Sequence, residues 1–580
     1  MLRAIEQAAF LRLAIRLGGI GIVRHVELTG SRSIGQKTSP NFGPSAPAKG
    51  QDSRQRLSQL PANHRDPLFE PKPRRYVGWR VRQPRQQPAG MTSPQQPTDL
   101  NPLPTETAAE RTSRLLWWLH PKVALPLTLL GLLLVAPFLY RGYCISRIPD
   151  IGDPFDVEAF GTVAIPPIDN AMTQYALAVK SLRKPTGVAS DDFEKALEHG
   201  WTQTSEPLRK WLADNQVALA EWRKGTERSQ AAEIPPKDFR FSTLIKVTSE
   251  SRELTRLAIL QAERCAHESD LDNAWDWLRA SVRASRHVQQ NGALIQRLVG
   301  MAMFYNSVAG IKRWAAHPAV TPDQLRKALT EFRDADRLTP PNSIALKTEY
   351  LCLTNTVTET SRHELMQYGL GIHFPPVLQS TALYVMGDPE LSLKAFQHVF
   401  ANLLSEIDKP KCDRAPSAGG RFNLYDLPPG MSRCLTAREL DTVTFSAYLA
   451  RSTLPAYQQV GDAMDREAAR RAAVSLLLTC QLHHRLHGDW PEKVGDLVPD
   501  TLAEPPGDPL GKSGELMRLK RDGEDLVIYS VGLNSNDDGG NIGDAVGANP
   551  NEAPDQGVRA KRPTNSLNPM PSETILPEKN

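Results

Sequence analysis

Between Val123 and Tyr140 the chain reads VALPLTLLGLLLVAPFLY, 18 residues without a charged side chain. A helix of that length and composition is long enough to cross the hydrocarbon core of a bilayer. Core helices of soluble domains seldom go so far without an ionisable group, so the chain is expected to be organised around one membrane span. Trp117 and Trp118 precede the run and Tyr140 and Tyr143 close it, which puts amphipathic rings where both water interfaces fall. Pro126, Gly131 and Pro137 are tolerable inside a spanning helix.

Charge divides the chain at the same place. Residues 1–90 hold 16 Lys and Arg against 5 Asp and Glu, residues 91–122 balance, and the remainder carries a net −7 within a total of +4. A mildly acidic body lacks the basic face that nucleic acid requires, so no nucleic-acid partner is expected. Arg111, Arg114 and Lys122 lie before the span, Arg141 and Arg147 after it. That bias predicts a cytoplasmic N-terminus and an exported body.

The linear order predicts these segments: a disordered basic tail, 1–90; a polar cytoplasmic leader, 91–122; the span, 123–140; a juxtamembrane linker, 141–167; a helical hairpin domain, 168–409; a Pro and Gly rich loop, 410–435; a long helix with a small α+β unit, 436–544; and a disordered tail, 545–580. Charges at Arg12, Arg16 and Arg24 interrupt any signal-peptide core, and Met91 offers a cleaner start. The fold class expected is mainly α, with one transmembrane helix and a short antiparallel sheet near the C-terminus.

Local signals support the helices. Ser205 with Pro207 opens one whose apolar face holds Leu208, Trp211, Leu212, Leu219 and Trp222. Thr321, Pro322 and Gln324 form a capping-box start. Residues 292–316 read as a long, largely apolar helix, and Asp462 to His487 as another that Gly488 stops. Residues 252–267 and 271–288 resemble one tetratricopeptide-type hairpin, with Ala274, Leu278 and Ser281 at small, large, small positions. After Gly488 the period becomes that of strands, near Leu516–Leu519 and Leu526–Val531, with Arg521-Asp522-Gly523 as the turn.

The C-terminal pieces LHGDWPEKVGDLVP, PPGDPLGKSGELMRL and LVIYSVGLNSNDDGGNIGD follow that helix in order. Through Gly488, Trp490, Pro491, Asp508, Pro509, Gly511, Ser530 and Gly532 they resemble the globular part of the major pseudopilins of bacterial type II secretion, over about 75 of 580 residues. The resemblance implies a bacterial envelope setting and a final loop that binds calcium. Asn534, Asn536, Asp537, Asp538 and Asp544 supply the hard oxygen donors calcium takes, although Asn534 stands where the family has Asp. The run fails as an EF-hand because Ala545 occupies the twelfth position. No pseudopilin cleavage site precedes Val123, so the unit reads as a module at the end of a larger protein.

Catalytic motifs are missing. No GxSxG, GxxxxGK or GxGxxG sequence is present, HELMQ at His363 lacks a second histidine, and His483 and His487 lack the intervening Glu of a zinc helix. The six cysteines show no CxxC. Cys412 and Cys434 flank a loop and could pair in an oxidising compartment; the equal alternative is that each cysteine is a small buried hydrophobe, which fits Cys265 and Cys480 inside helical patterns best. The function expected is therefore a single-pass scaffold or protein-interaction module of the bacterial inner membrane, its protein partners unidentified, without catalytic residues or a certain cofactor. The alternatives are a hydrolase-like envelope enzyme and an accessory component of a secretion or pilus-like assembly.

Overall fold

The computed structural model describes residues 121–563 apart from 163, 189–191, 360–375, 418–424, 426–434, 444–446, 454–456 and 544–552. The expectations for the N-terminal tail, Met91, Trp117, Trp118, His363, Cys434 and Asp544 lie outside those residues. Residues from Leu130 onward belong to one compact unit, and the start of the first helix groups with the residues before it.

Among the described residues, sixteen α-helices precede or flank a three-stranded sheet. Helix α1, Pro121–Ser146, contains the apolar run and extends it at both ends. It is the one described helix long and apolar enough to cross a membrane, and its side chains from Leu125 to Leu139 are mostly exposed. Short helices α2, Val157–Gly161, α3, Ala171–Ser181, and α4, Asp192–His199, follow. Then come α5, Glu206–Asp214, and α6, Gln216–Thr226. The apolar face expected over 208–222 is buried throughout, but Asn215 breaks it into these two helices by bonding Arg183 and the carbonyl of Trp211. Ser205 sits at the start of α5 yet does not cap it; its hydroxyl donates to Asp192 instead.

Four long helices form the centre: α7, Lys246–His267, α8, Leu271–Gln289, α9, Leu294–Ala316, and α10, Pro322–Asp336. The Thr321 capping box of α10 is formed as its sequence requires, with Gln324 N–H donating to Thr321 Oγ1 and Thr321 N–H to Gln324 Oε1. Helices α8 and α9 cross closely because Gly300 has no side chain. A Cβ there would lie 2.5 Å from the carbonyl oxygen of Ser285 and 2.4 Å from Gln289 Cγ. Gly300→Ala is expected to cost about 1–3 kcal/mol by overpacking, more than the roughly 1 kcal/mol that alanine gains in helix propensity. A lower denaturant midpoint checks this; an unchanged midpoint contradicts it.

The remaining elements are α11, Asn342–Glu359, α12, Pro376–Met386, α13, Glu390–Glu406, α14, Ala437–Val443, α15, Tyr448–Thr453, and the long α16, Tyr457–His487. Strands β1, Arg518–Asp522, β2, Asp525–Ser530, and β3, Gln556–Ala560, pair antiparallel in sequence order. Asp522 pairs with Asp525, so the hairpin loop is Gly523-Glu524, with Gly523 at φ +60° as the first position of a primed turn demands. Strand β3 falls where a disordered tail was expected; QGVRA is too short and too polar to announce itself, and it is held by pairing with buried β2.

Among the described residues two large hydrophobic cores form, beside three small clusters, and they do not follow the linear segments. The first joins α3 to α10 with the C-terminal half of α16 and one face of the sheet, including Trp222, Trp275, Phe304, Phe332, Leu477 and Ile528. The second joins the end of α1, through Cys144 and Ile148, to Tyr350 of α11, Phe396 and Phe400 of α13, and Tyr457 and Met464 of α16. Helix α16, 31 residues long, therefore serves both. The loop expected to mark a domain boundary at 410–435 is tied back to this helix, with Arg414 making two 2.8 Å bonds to Asp465. Its Lys411 also donates to the carbonyl of Leu533 at 2.7 Å.

Candidate functional site

The C-terminal loop lies between β2 and β3. Asp508 organises its base: the carboxylate accepts from Leu510 N–H, Val531 N–H, the Ser530 hydroxyl and Arg518 Nη1. Gly532 is required by close approach, because a Cβ there would collide with the carbonyl of Pro554. Trp490 is buried, donates its indole N–H to Glu524 at 2.8 Å and stacks obliquely on His484. The residues that carry the sequence resemblance thus have definite mechanical roles.

Asn534, Asn536, Asp537 and Asp538 share this loop, and the described contacts of Asn534, Asp537 and Asp538 go to the loop itself and to the flanking strands. Asn534 Oδ1 accepts from Asn536 N–H at 3.0 Å, and its amide donates to Asp538 Oδ2 at 2.8 Å. Asp537 accepts from Gly539 N–H and the Tyr529 hydroxyl and pairs with Arg518 Nε at 3.1 Å. The organising residue is Asp555, unremarked in the sequence: wholly buried, it accepts from the backbone N–H groups of Asp538, Gly540 and Asn541. Burial raises its pKa against those three lowering bonds. Among the described residues no three His, Cys, Asp or Glu side chains are gathered in a metal-ligating group. An arginine on Asp537 and backbone donors on Asp555 suit a loop closed by its own hydrogen bonds better than a calcium cage. A calorimetric calcium titration is expected to show no saturable heat and no rise in melting temperature; saturable binding would contradict this reading of the loop.

The other histidine and cysteine candidates also find ordinary roles. The rings of His483 and His487 lie 4.4 Å apart, and His483 Nδ1 faces the carbonyl of Asp489. Cys265 and Cys480 are buried as expected, and Cys412 is exposed. A groove of ≈ 440 Å³ between α6 and α8 is lined by Arg223 over the Trp277 ring and by the Arg279–Glu227 ion pair, without a histidine.

Three buried titratable arrangements were not legible in the sequence. His287 donates from Nε2 to the carbonyl of Arg228, so its Nδ1 accepts from the Tyr175 hydroxyl at 2.7 Å. Burial lowers its pKa to about 3 and keeps it neutral. Glu233 accepts from Val247 N–H, Thr248 N–H, the Thr248 hydroxyl and Gln296, satisfying the first donors of α7. Glu467 of α16 meets Arg286 of α8 at 2.5 Å and Arg297 of α9 at 3.4 Å, all three buried. Asp336 extends the group by pairing with both Arg286 and Arg471. These groups pair with structural neighbours, although Arg286 Nε and Arg297 Nε are buried without a hydrogen-bond partner among the described residues, and none lines the groove.

A fourth cluster fastens α1 to the body. Buried Arg141, the first charge beyond the apolar run, donates to the carbonyls of Tyr384 and Asp388, pairs with Glu390 and lies 4.0 Å from the Tyr384 ring centre. Lys394 Nζ donates to the carbonyls of Ile145 and Ile148, the unsatisfied acceptors at the end of α1. His398 donates from Nε2 to Pro149 and accepts Leu435 N–H on Nδ1, and burial lowers its pKa. The sequence signal was faint: an arginine directly after an apolar run, and nothing to say which distant residues would meet it. Compared with protein-family models, curated proteins and solved structures, the chain matches none.

Proposed function

We propose that the chain is a single-pass protein of the bacterial inner membrane, its N-terminus cytoplasmic and its body exported, acting as a scaffold that holds protein partners at the membrane. The observation that supports this most is the fastening of α1. A helix whose apolar surface is exposed is joined to the body through buried Arg141, Lys394 and His398 rather than through a free linker. Such a joint holds the body at a set distance and orientation to the bilayer, which is what a scaffold needs and a diffusing tethered enzyme does not. The Asp508 and Gly532 loop base supports, as a second reading, an accessory role in a secretion or pilus-like assembly.

Protease added to cells with permeabilised outer membranes is expected to digest the body, detected with an antibody to the C-terminus. Protection there, with digestion only after lysis, would reverse the orientation. Affinity purification in mild detergent is expected to return stoichiometric protein partners; recovery of the chain alone would count against a scaffold.

A further inference from the structure

Helix α12, Pro376–Met386, reads PVLQSTALYVM and holds no charged residue. It is anchored at its C-terminal end: Leu383 is buried, and the Tyr384 ring meets Phe138 of α1 edge-on at 6.3 Å while covering the Arg141 guanidinium. Its other end is bare. Val377 is 74% and Leu378 61% exposed, matching Leu133 at 71% and Leu139 at 66% on α1 itself. Its hydroxyls need no water, because Ser380 and Thr381 both donate to the carbonyl of Val377, as Thr128 does to Ala124 within α1.

We infer that α12 is a second membrane contact, an interfacial helix that lays Val377 and Leu378 into the boundary between headgroups and acyl chains beside α1. The depth follows from the contacts. Phe138 lies within the apolar run and Arg141 is the first charge past it, so Tyr384 sits at the level where α1 passes from hydrocarbon to water. Tyrosine is enriched at that level. Val377 and Leu378 lie within about two turns of Tyr384 on the same helix, and a helix lying in the interface plane keeps its apolar face within the roughly 5–10 Å boundary region. With two contacts the tilt and rotation of the body are held at two points on the membrane.

This inference rests on the reading of α1 as a span, and the test separates the two. The full chain carrying Cys412→Ser and Cys434→Ser, whose other four cysteines are buried, receives one new cysteine for a bimane label. The sites are Val377→Cys, Leu133→Cys in α1 and Val217→Cys, exposed on α6 away from the junction. Each protein is reconstituted into phosphatidylcholine and phosphatidylglycerol vesicles with spin-labelled lipid. Loss of emission at Val377 with spin labels near the glycerol end, at Leu133 with labels near the acyl terminus, and none at Val217, is the expected result. Quenching at Leu133 with Val377 behaving like Val217 would overturn the interfacial helix and leave the span intact, its bare face then belonging to a protein. No quenching at Leu133 would overturn both.

Discussion

Glu467→Gln is expected to lower the stability of the body by about 3–5 kcal/mol, the range for removing one partner of a buried ion pair. Arg286 and Arg297 meet Glu467 from two helices in a site that none of the three shares with solvent. Burial alone would raise the Glu467 pKa, but Arg297, Arg286 and Arg471 outweigh it and hold the carboxyl at about 2. Burial lowers Arg297 to about 10, so it stays charged at neutral pH. Glutamine keeps a hydrogen-bond acceptor but leaves the guanidinium groups with Asp336 on Arg286 and the charge of Asp408 acting on Arg297. The position magnifies the damage. Glu467 lies between Met464, which belongs to the second core, and Ala473, which belongs to the first.

The sign of the pH dependence follows. A carboxyl held below its ordinary value of 4.5 contributes stability that is complete above about 4.5 and is lost as pH falls toward 2. Denaturant midpoints between pH 6 and 3 should therefore fall more steeply for the wild-type chain than for Glu467→Gln. Replacing Arg286, Arg297 and Glu467 together by methionine should cost less than the single change, because no unpaired charge remains. A triple variant less stable than Glu467→Gln would show that the pairing itself, rather than the orphaned charges, carries the energy.

Glu349→Gln is expected to act in the opposite direction, stabilising the body above neutral pH. Glu349 of α11 accepts the N–H of Leu294 at the start of α9 and the hydroxyl of Tyr457. Although a fringe of its side chain reaches the surface, burial pushes the carboxyl up to about 7, ahead of the lowering bonds from Leu294 and Tyr457. A carboxyl raised above its ordinary 4.5 contributes stability that is complete below about 4.5 and is lost as pH rises through about 7. The loss at alkaline pH is on the order of 3 kcal/mol at most, since each pKa unit corresponds to about 1.4 kcal/mol. Glutamine still accepts from Leu294 and never ionises. Melting temperatures from about pH 4.5 to 7 should thus decline for the wild-type chain through this group and stay flatter for the variant, with the full difference present above about pH 7. Parallel curves would contradict it. Together Glu467 and Glu349 place the greatest stability of the described body near pH 4.5, with losses as pH falls toward 2 and as it rises toward 7.

Local signals were legible where the cause was local. The apolar run, the Thr321 box, the Gly488 stop at φ +82° and the glycine of the hairpin each depend on a few adjacent residues, and each is formed as its sequence suggests. Ser205 shows the limit even there, because Asp192, thirteen positions away, took its hydroxyl. At the candidate loop the sequence supplied the oxygen-rich run, yet Asp555, which orders it, lies in a stretch with no pattern of its own.

What the sequence alone determined is that one helix is apolar enough to cross a membrane and that most of the rest is helical, because hydrophobic spacing and capping act within a few turns. The tertiary structure decided the partition into two cores, the sharing of α16 between them and the fastening of Arg141 to Tyr384 and Asp388, more than 240 positions away. The physical reason is that a buried charge or an apolar face states a need for a partner without naming it. Only the packed chain shows which distant helix answers.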